Sequence, residues 1–200
     1  MKEKHSTYFN LLDAFKEGCP LCHLIGDNVH KFIENFLYES VNDPGARKNL
    51  RASLGFCNAH SWALRSFGDA LGSSIVYEDL IAAAVHRFQK LTTSLKDIKG
   101  LLSEFTRDNK PGVFGKRKAT CPACKVGSEA ERNYISAFMD YFYEPEFKAL
   151  FKSSFGLCLP HLLRVLEKCR GAKVADEIKS IELEKLSALI KEAIEHYERF

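Results

Sequence analysis

The sequence lacks the features that would place it in a membrane, a secretory pathway or a large enzyme family. No run of apolar residues approaches the roughly 18 that a membrane-spanning helix needs. The first residues, MKEKHSTYFNLLDAFKEG, contain neither an uninterrupted apolar segment nor a small-residue cleavage site, so they do not resemble a secretion signal. No Walker loop, Rossmann glycine pattern or HExxH motif occurs. These absences favour a cytoplasmic protein without a membrane span.

A strong charge of one sign is also missing. The 200 residues contain 29 Lys and Arg against 26 Asp and Glu, and the net charge of +3 is too small to indicate a nucleic-acid partner by itself. One stretch differs from the rest: RDNKPGVFGKRK, residues 107–118, has five basic residues and one acidic residue. Its glycines and proline predict a solvated loop, and nucleic-acid binding through it is the weaker hypothesis.

The chain does contain seven cysteines, six of them in short motifs. Residues Cys19 to His23 read CPLCH, which matches the CxxCH pattern of covalent haem attachment. The same spacing without the histidine also serves zinc, iron–sulfur clusters and dithiol redox chemistry. Structural disulfides are rare in a reducing compartment, so metal binding or redox chemistry is the expected use of these thiols.

An internal repeat decides against haem. CPLC at residues 19–22 recurs as CPAC at 121–124, and GFCNAH at 55–60 recurs as GLCLPH at 156–161. The two motifs are separated by 35 positions in the first copy, counted from one cysteine to the next, and by 34 in the second. The counterpart of His23 is Lys125, so the histidine of CxxCH is not repeated, whereas His60 and His161 are.

Each copy therefore supplies three cysteines and one histidine, a common ligand set for structural zinc. Two ligands at positions i and i+3 can face one ion, and proline after the first cysteine suits the first turn of a helix. The predicted metal ligands are Cys19, Cys22, Cys57, His60, Cys121, Cys124, Cys158 and His161. Two zinc ions are expected, with an iron–sulfur cluster as the alternative cofactor and redox-active dithiols as a further one.

Which motifs share an ion is open from the sequence. Cys19 and Cys22 pair either with the GxCxxH motif of their own repeat or with that of the other repeat. We expect pairing within each repeat, because about 35 intervening residues suit one helical hairpin that folds back. The seventh cysteine, Cys169, lies in a helical pattern and is expected to be a small apolar residue.

The apolar periodicity predicts helices almost throughout the chain. The predicted helices span residues 6–17, 20–40, 44–54, 57–67, 72–105, 122–142, 144–154, 158–169 and 173–199. Phe147, Phe151 and Phe155 recur at steps of four and are expected in the core. The predicted fold is an all-α helical bundle of two pseudo-repeats, each a Cys3His metal-binding module followed by a long helix. The first repeat spans 1–106, the basic Gly/Pro loop 107–120 and the second repeat 121–200.

The doubled CPxC and GxCxxH layout resembles a group of small uncharacterised prokaryotic proteins with the same two half-sites. The resemblance covers most of the chain and implies no established activity. It supports metal binding and leaves the biological role open.

A metal with four protein ligands has no open position for a substrate, so catalysis at the metal is not the expected role. The sequence favours a cytoplasmic metal-binding protein with structural sites and an interaction or regulatory role. An iron–sulfur or thiol-based redox or sensor protein is the alternative. The long amphipathic helices, including the one with Leu186, Ile190 and Tyr197 on one side, are expected to bind a protein partner or a second copy of the chain.

Overall fold

The computed structural model describes residues 4–89 and 120–197, and every regular element in these ranges is helical. The helices are α1 (Ser6–Ala14), α2 (Pro20–Asn35), α3 (Pro44–Ala52), α4 (Asn58–Ser66), α5 (Ala70–Gln89), α6 (Pro122–Tyr141), α7 (Pro145–Ser153), α8 (Leu159–Lys168) and α9 (Ala172–Tyr197). Helix α2 continues into a π-helical turn, Phe36–Ser40. The predicted all-α fold is confirmed. Within the described ranges, no helix combines the length and apolarity that crossing a membrane requires.

Local sequence signals set most helix ends. Asp43 caps α3 by accepting a hydrogen bond from the backbone N–H of Ala46 at 2.6 Å, and Pro44 opens the helix. Helix α1 ends at Ala14, earlier than predicted, and the chain turns before Gly18, whose φ of +83° favours glycine. The last part of the predicted 72–105 helix and almost all of the 107–120 loop lie outside the described residues.

The chain divides into two compact units that do not follow the two repeats. Unit 1 combines Met1–Asp27 with Ser128–Phe200, and unit 2 is Asn28–Gly127. Each unit therefore contains residues from both copies of the repeat. The predicted repeat boundary at residue 106 lies outside the described residues, and both boundaries, at 106 and 120, stay a prediction.

The core of unit 1 contains a group of aromatic side chains among aliphatic ones. Phe138 meets Phe147 and Phe151 edge-on, with ring centroids 5.3 and 5.1 Å apart. Such contacts add to the free energy gained by burying the rings. Phe147 and Phe151 are fully buried, as predicted, but Phe155 is 72% exposed because α7 ends at Ser153, before the next turn.

The core of unit 2 combines aliphatic side chains with the edge-on pair Phe36 and Phe56. Ile33, Leu50, Leu64 and Val76 are buried together, one each from α2, α3, α4 and α5. At its edge, Arg51 of α3 donates to both carboxylate oxygens of Asp79 on α5, at 2.6 and 2.7 Å. Both hydrogen bonds come from the same nitrogen, Nη1, and this charged pair connects the two helices.

Candidate metal centres

Four ligand-type side chains of unit 1 converge on one point, which we call the first cluster: Cys19, Cys22, Cys158 and His161. The Nδ1 atom of His161 lies 3.5, 3.2 and 3.1 Å from the sulfurs of Cys19, Cys22 and Cys158. The sulfurs of Cys22 and Cys158 are 3.5 Å apart. All four ligand atoms are within 4.8 Å of one another, so they could hold a single ion.

A second cluster in unit 2 has the same composition: Cys57, His60, Cys121 and Cys124. The Nδ1 atom of His60 lies 3.1 Å from the Cys57 sulfur, 3.6 Å from that of Cys121 and 3.4 Å from that of Cys124. The sulfurs of Cys57 and Cys124 are 3.6 Å apart. The eight predicted ligands thus fall into two groups of three cysteines and one histidine.

The predicted pairing within each repeat is wrong. The CPxC motif of the first repeat joins the GxCxxH motif of the second, and the reverse holds in the other cluster. Helix lengths explain the exchange. Helix α2 has 16 residues and a π turn after it, whereas α3, which follows, has only 9. At 1.5 Å per residue, α3 is about 10 Å shorter than α2, so the two helices do not match as the arms of a hairpin.

Both CPxC motifs lie at a helix N-terminus. Pro20 is the first residue of α2 and Pro122 is the first residue of α6, so the first cysteine of each pair precedes the helix and the second lies in its first turn. The unpaired N–H groups and the positive end of the helix dipole stabilise a thiolate there. The motif therefore presents two cysteines in a setting that favours metal ligation.

The GxCxxH motifs also place their cysteine and histidine at the start of a helix. Cys57 and Cys158 are the N-cap residues of α4 and α8, so the histidine three positions later falls in the first turn. The chain enters each helix through a glycine with positive φ, +90° at Gly55 and +86° at Gly156. A side chain at either glycine would strain the backbone that aims the cysteine.

In unit 1, a buried glutamate stabilises the turn that precedes Cys158. Glu182 of α9 is 2% exposed, and its Oε1 accepts a hydrogen bond from the backbone N–H of Leu157 at 2.9 Å. A Cβ on Gly156 would lie 2.6 Å from both carboxylate oxygens of Glu182. Burial raises the pKa of Glu182, although the Leu157 N–H and Lys185 act in the opposite direction.

Burial and the close approach of the cysteines perturb the pKa values in both clusters. Burial and the neighbouring cysteines raise the pKa of Cys22 to about 12 and that of Cys124 to about 12. Burial also disfavours ionisation of Cys19, but hydrogen bonds from His161 and the backbone lower its pKa overall. Burial lowers the pKa of His60, which keeps the imidazole neutral and its nitrogen available as a ligand. A divalent ion would relieve the repulsion among three thiolates.

His23 and Cys169, which were not predicted to be ligands, belong to neither cluster. His23 pairs with Asp27, one turn further along α2, at 3.3 Å, so the histidine of the haem-like motif is not one of the clustered ligands. Cys169 is partly buried against the unit 1 core, with its sulfur 3.8 Å from that of Met139.

No sequence motif marks one further residue, which borders the first cluster. With Nδ1 of His161 turned to the sulfurs, its Nε2 lies 3.4 Å from Oε1 of Glu131 on α6. The other oxygen of Glu131 accepts a hydrogen bond from Arg164. Among the many charged residues of the chain, only the fold distinguishes Glu131 from the others.

Comparison with known proteins assigns the chain to a family. The sequence model of the family described as "Family of unknown function (DUF6062)" matches residues 1–198. The chain belongs to this family. It is also 31% identical over 192 residues to "Uncharacterized 23.9 kDa protein in xynA 3'region" of Caldicellulosiruptor sp. (strain Rt8B.4), which covers 94% of this chain and 84% of that protein. No solved structure matches significantly. The resemblance to small uncharacterised proteins is confirmed.

Proposed function

We propose that each cluster binds one zinc ion and that both ions are structural. The observation that carries the proposal is the spacing of the ligand atoms. With Zn–S of about 2.3 Å and Zn–N of about 2.0 Å, a tetrahedral site places two sulfurs about 3.8 Å apart and a sulfur and a nitrogen about 3.5 Å apart. The four distances given above for each cluster run from 3.1 to 3.6 Å, and all ligand atoms of a cluster lie within 4.8 Å of one another.

The same spacing argues against an iron–sulfur cluster. The protein ligands of such a cluster are shared among several iron atoms joined by sulfide, so they stand further apart than ligands of one ion. Here the sulfurs of Cys22 and Cys158 in the first cluster are only 3.5 Å apart. One histidine among three cysteines is also an ordinary set for zinc.

A structural role follows from ligand count and helix length. Four protein ligands complete a tetrahedron and leave no position for a substrate. The helices that contribute the GxCxxH ligands are short, 9 residues for α4 and 10 for α8. Helices of this length are marginal without tertiary contacts. A bound zinc ion contributes on the order of 10 kcal/mol to folding, which is comparable with the whole stability of a domain.

Metal analysis tests this proposal directly. Protein purified without added metal should contain two zinc ions per chain, by elemental analysis and by native mass spectrometry. A strong chelator should lower the helical circular dichroism signal, and added zinc should restore it. Visible absorption together with bound iron would support the iron–sulfur redox alternative instead of zinc. Metal-free protein with unchanged helicity would overturn the structural role.

The cysteines also bear on the compartment. All seven lie within the described residues, and none of them forms a disulfide. Six must stay reduced to act as ligands, which suits a reducing compartment such as the cytoplasm. A cytoplasmic location is accordingly part of the proposal.

The interaction role is assigned to the C-terminal half of α9, through which we propose that two copies of the chain associate. Every residue from 183 to 197 except Lys185 is exposed. Five large apolar side chains lie on one face at steps of three or four: Leu183, Leu186, Ile190, Ile194 and Tyr197. Such spacing is typical of a helix that packs against another helix, including an identical one.

The size of this face is sufficient for a weak dimer. Its side chains are between 45% and 84% exposed, which corresponds to about 100 Å² each. Together they offer roughly 500–600 Å² a chain, and hence about 1,000–1,200 Å² in a pair, near the lower limit for specific interfaces. A hydrophobic face of this kind left in water would be an aggregation risk.

Light scattering coupled to size-exclusion chromatography tests the dimer. The wild-type chain should show a concentration-dependent dimer, and Ile190→Glu should be monomeric. Ala188→Glu is the matched control, because residue 188 lies on the opposite side of the same helix and carries the same added charge. A monomeric wild-type chain at high concentration, or equal effects of the two substitutions, would overturn the proposed self-association.

A further inference from the structure

The first cluster has a charged neighbour, and the second has none like it among the described residues. Glu131 is 15% exposed in its side chain and lies between Nε2 of His161 and the guanidinium of Arg164. A histidine that binds a metal through Nδ1 carries its proton on Nε2. That nitrogen is 3.4 Å from Glu131, within ion-pair range although long for a hydrogen bond.

The repeat identifies the corresponding positions beside the second cluster. Glu131 lies 102 positions after Val29, the same offset that relates Cys121 to Cys19. Arg164 lies 101 positions after Ala63, the same offset that relates His161 to His60. Val29 and Ala63 are both partly buried against the unit 2 core. The charged pair of one unit is therefore replaced by two apolar side chains in the other.

The contacts of the two histidines agree with this comparison. Among the residues the structure describes, the ring of His60 contacts the sulfurs of Cys57, Cys121 and Cys124 through Nδ1, and no carboxylate pairs with its Nε2. His161 makes the equivalent sulfur contacts and faces Glu131 as well. The ligand atoms are the same in the two clusters, and the surroundings of the histidine differ.

We propose that Glu131 is a positioning residue for His161, and that it makes the metal affinities of the two clusters unequal, with the first cluster the tighter site. A carboxylate that accepts the Nε2 proton fixes the orientation of the ring and increases the electron donation of Nδ1 to the metal. Arg164 fixes Glu131 in turn. This inference rests on the proposed metal binding. Loss of such a partner typically weakens metal binding about 10–100-fold.

Zinc competition with a chromophoric chelator tests the inference. The wild-type protein should release its two ions in two steps, and the fluorescence of Trp62, two residues after His60, should report the weaker step. Glu131→Gln keeps the shape of the side chain and removes its charge. It should weaken the tighter step about 10–100-fold and leave the step reported by Trp62 unchanged. Glu167→Gln, an exposed charge on α8, is the matched control and should alter neither step.

A second measurement separates positioning from general destabilisation. Nitrogen NMR of the zinc-loaded protein should show both histidines bound through Nδ1, and Glu131→Gln should shift the Nε2 signal of His161 but not that of His60. If the wild-type protein holds two ions and Glu131→Gln releases them as the wild type does, or weakens both steps equally, the inference is overturned. If the wild-type protein holds no metal, the proposed function itself fails.

Discussion

Paired substitutions of ligands test the exchange of motifs between the repeats, and their outcome is an ion count. Cys22→Ser with His161→Ala removes two ligands whose atoms are 3.2 Å apart in the first cluster. Cys22→Ser with His60→Ala removes one ligand from each cluster. We expect the first double variant to keep one zinc ion and the second to keep none. Pairing within repeats would give the opposite counts.

The free energies of unfolding of the double variants should also depend on which ligands share an ion. Loss of one structural ion removes on the order of 10 kcal/mol of folding free energy from its unit. This is comparable with the 5–15 kcal/mol that stabilises a typical domain, so the unit that loses its ion should unfold. In the double variant within one cluster, the second substitution should cost little more, because the ion is already lost. The double variant across clusters should lose helicity in both units.

The single tryptophan makes the assay specific for one unit. Trp62 lies on α4 in unit 2, where it packs beside Arg65. Cys22→Ser with His161→Ala should therefore lower the circular dichroism signal and leave the Trp62 emission close to that of the wild type. Native mass spectrometry supplies the ion count. One ion in the cross-cluster variant and none in the same-cluster variant would refute the exchange of motifs.

Two further predictions concern residues outside the ligand sets. His23→Ala should leave both ions and the melting temperature within experimental error of the wild type, because the His23 side chain forms a half-exposed pair with Asp27 and lies outside both clusters. Loss of metal would make His23 a ligand. Burial raises the pKa of Glu182 in the folded state, so its contribution to stability is complete below the unfolded value near 4.5 and is lost as the pH rises through the folded value. Glu182→Gln should therefore gain stability relative to the wild type as the pH rises from 5 to 8, in urea unfolding with zinc in excess, and a constant difference across this range would contradict the raised pKa.

The sequence alone determined the helices and the candidate ligand residues. Helical periodicity and the proline and glycine signals are local, because each depends on neighbours within about one turn. The predicted ends of α3, α4, α6, α7 and α8 accordingly fall within two residues of the observed ones. The repeat distinguished the candidate ligands His60 and His161 from His23. A ligand that both copies need must occur in both copies, and His23 occurs in only one.

The tertiary structure decided which ligands meet. A spacing of about 35 residues is compatible with a hairpin and with an exchange between repeats, and the choice depends on the relative lengths of α2 and α3 together with the packing of distant segments. Glu131 became recognisable only when folding brought α6 beside the start of α8. The same holds for α9, where Ile178 is buried and Ile190 is exposed although both follow one helical pattern. Burial and long-range pairing depend on what packs against a residue, which its neighbours in the chain do not specify.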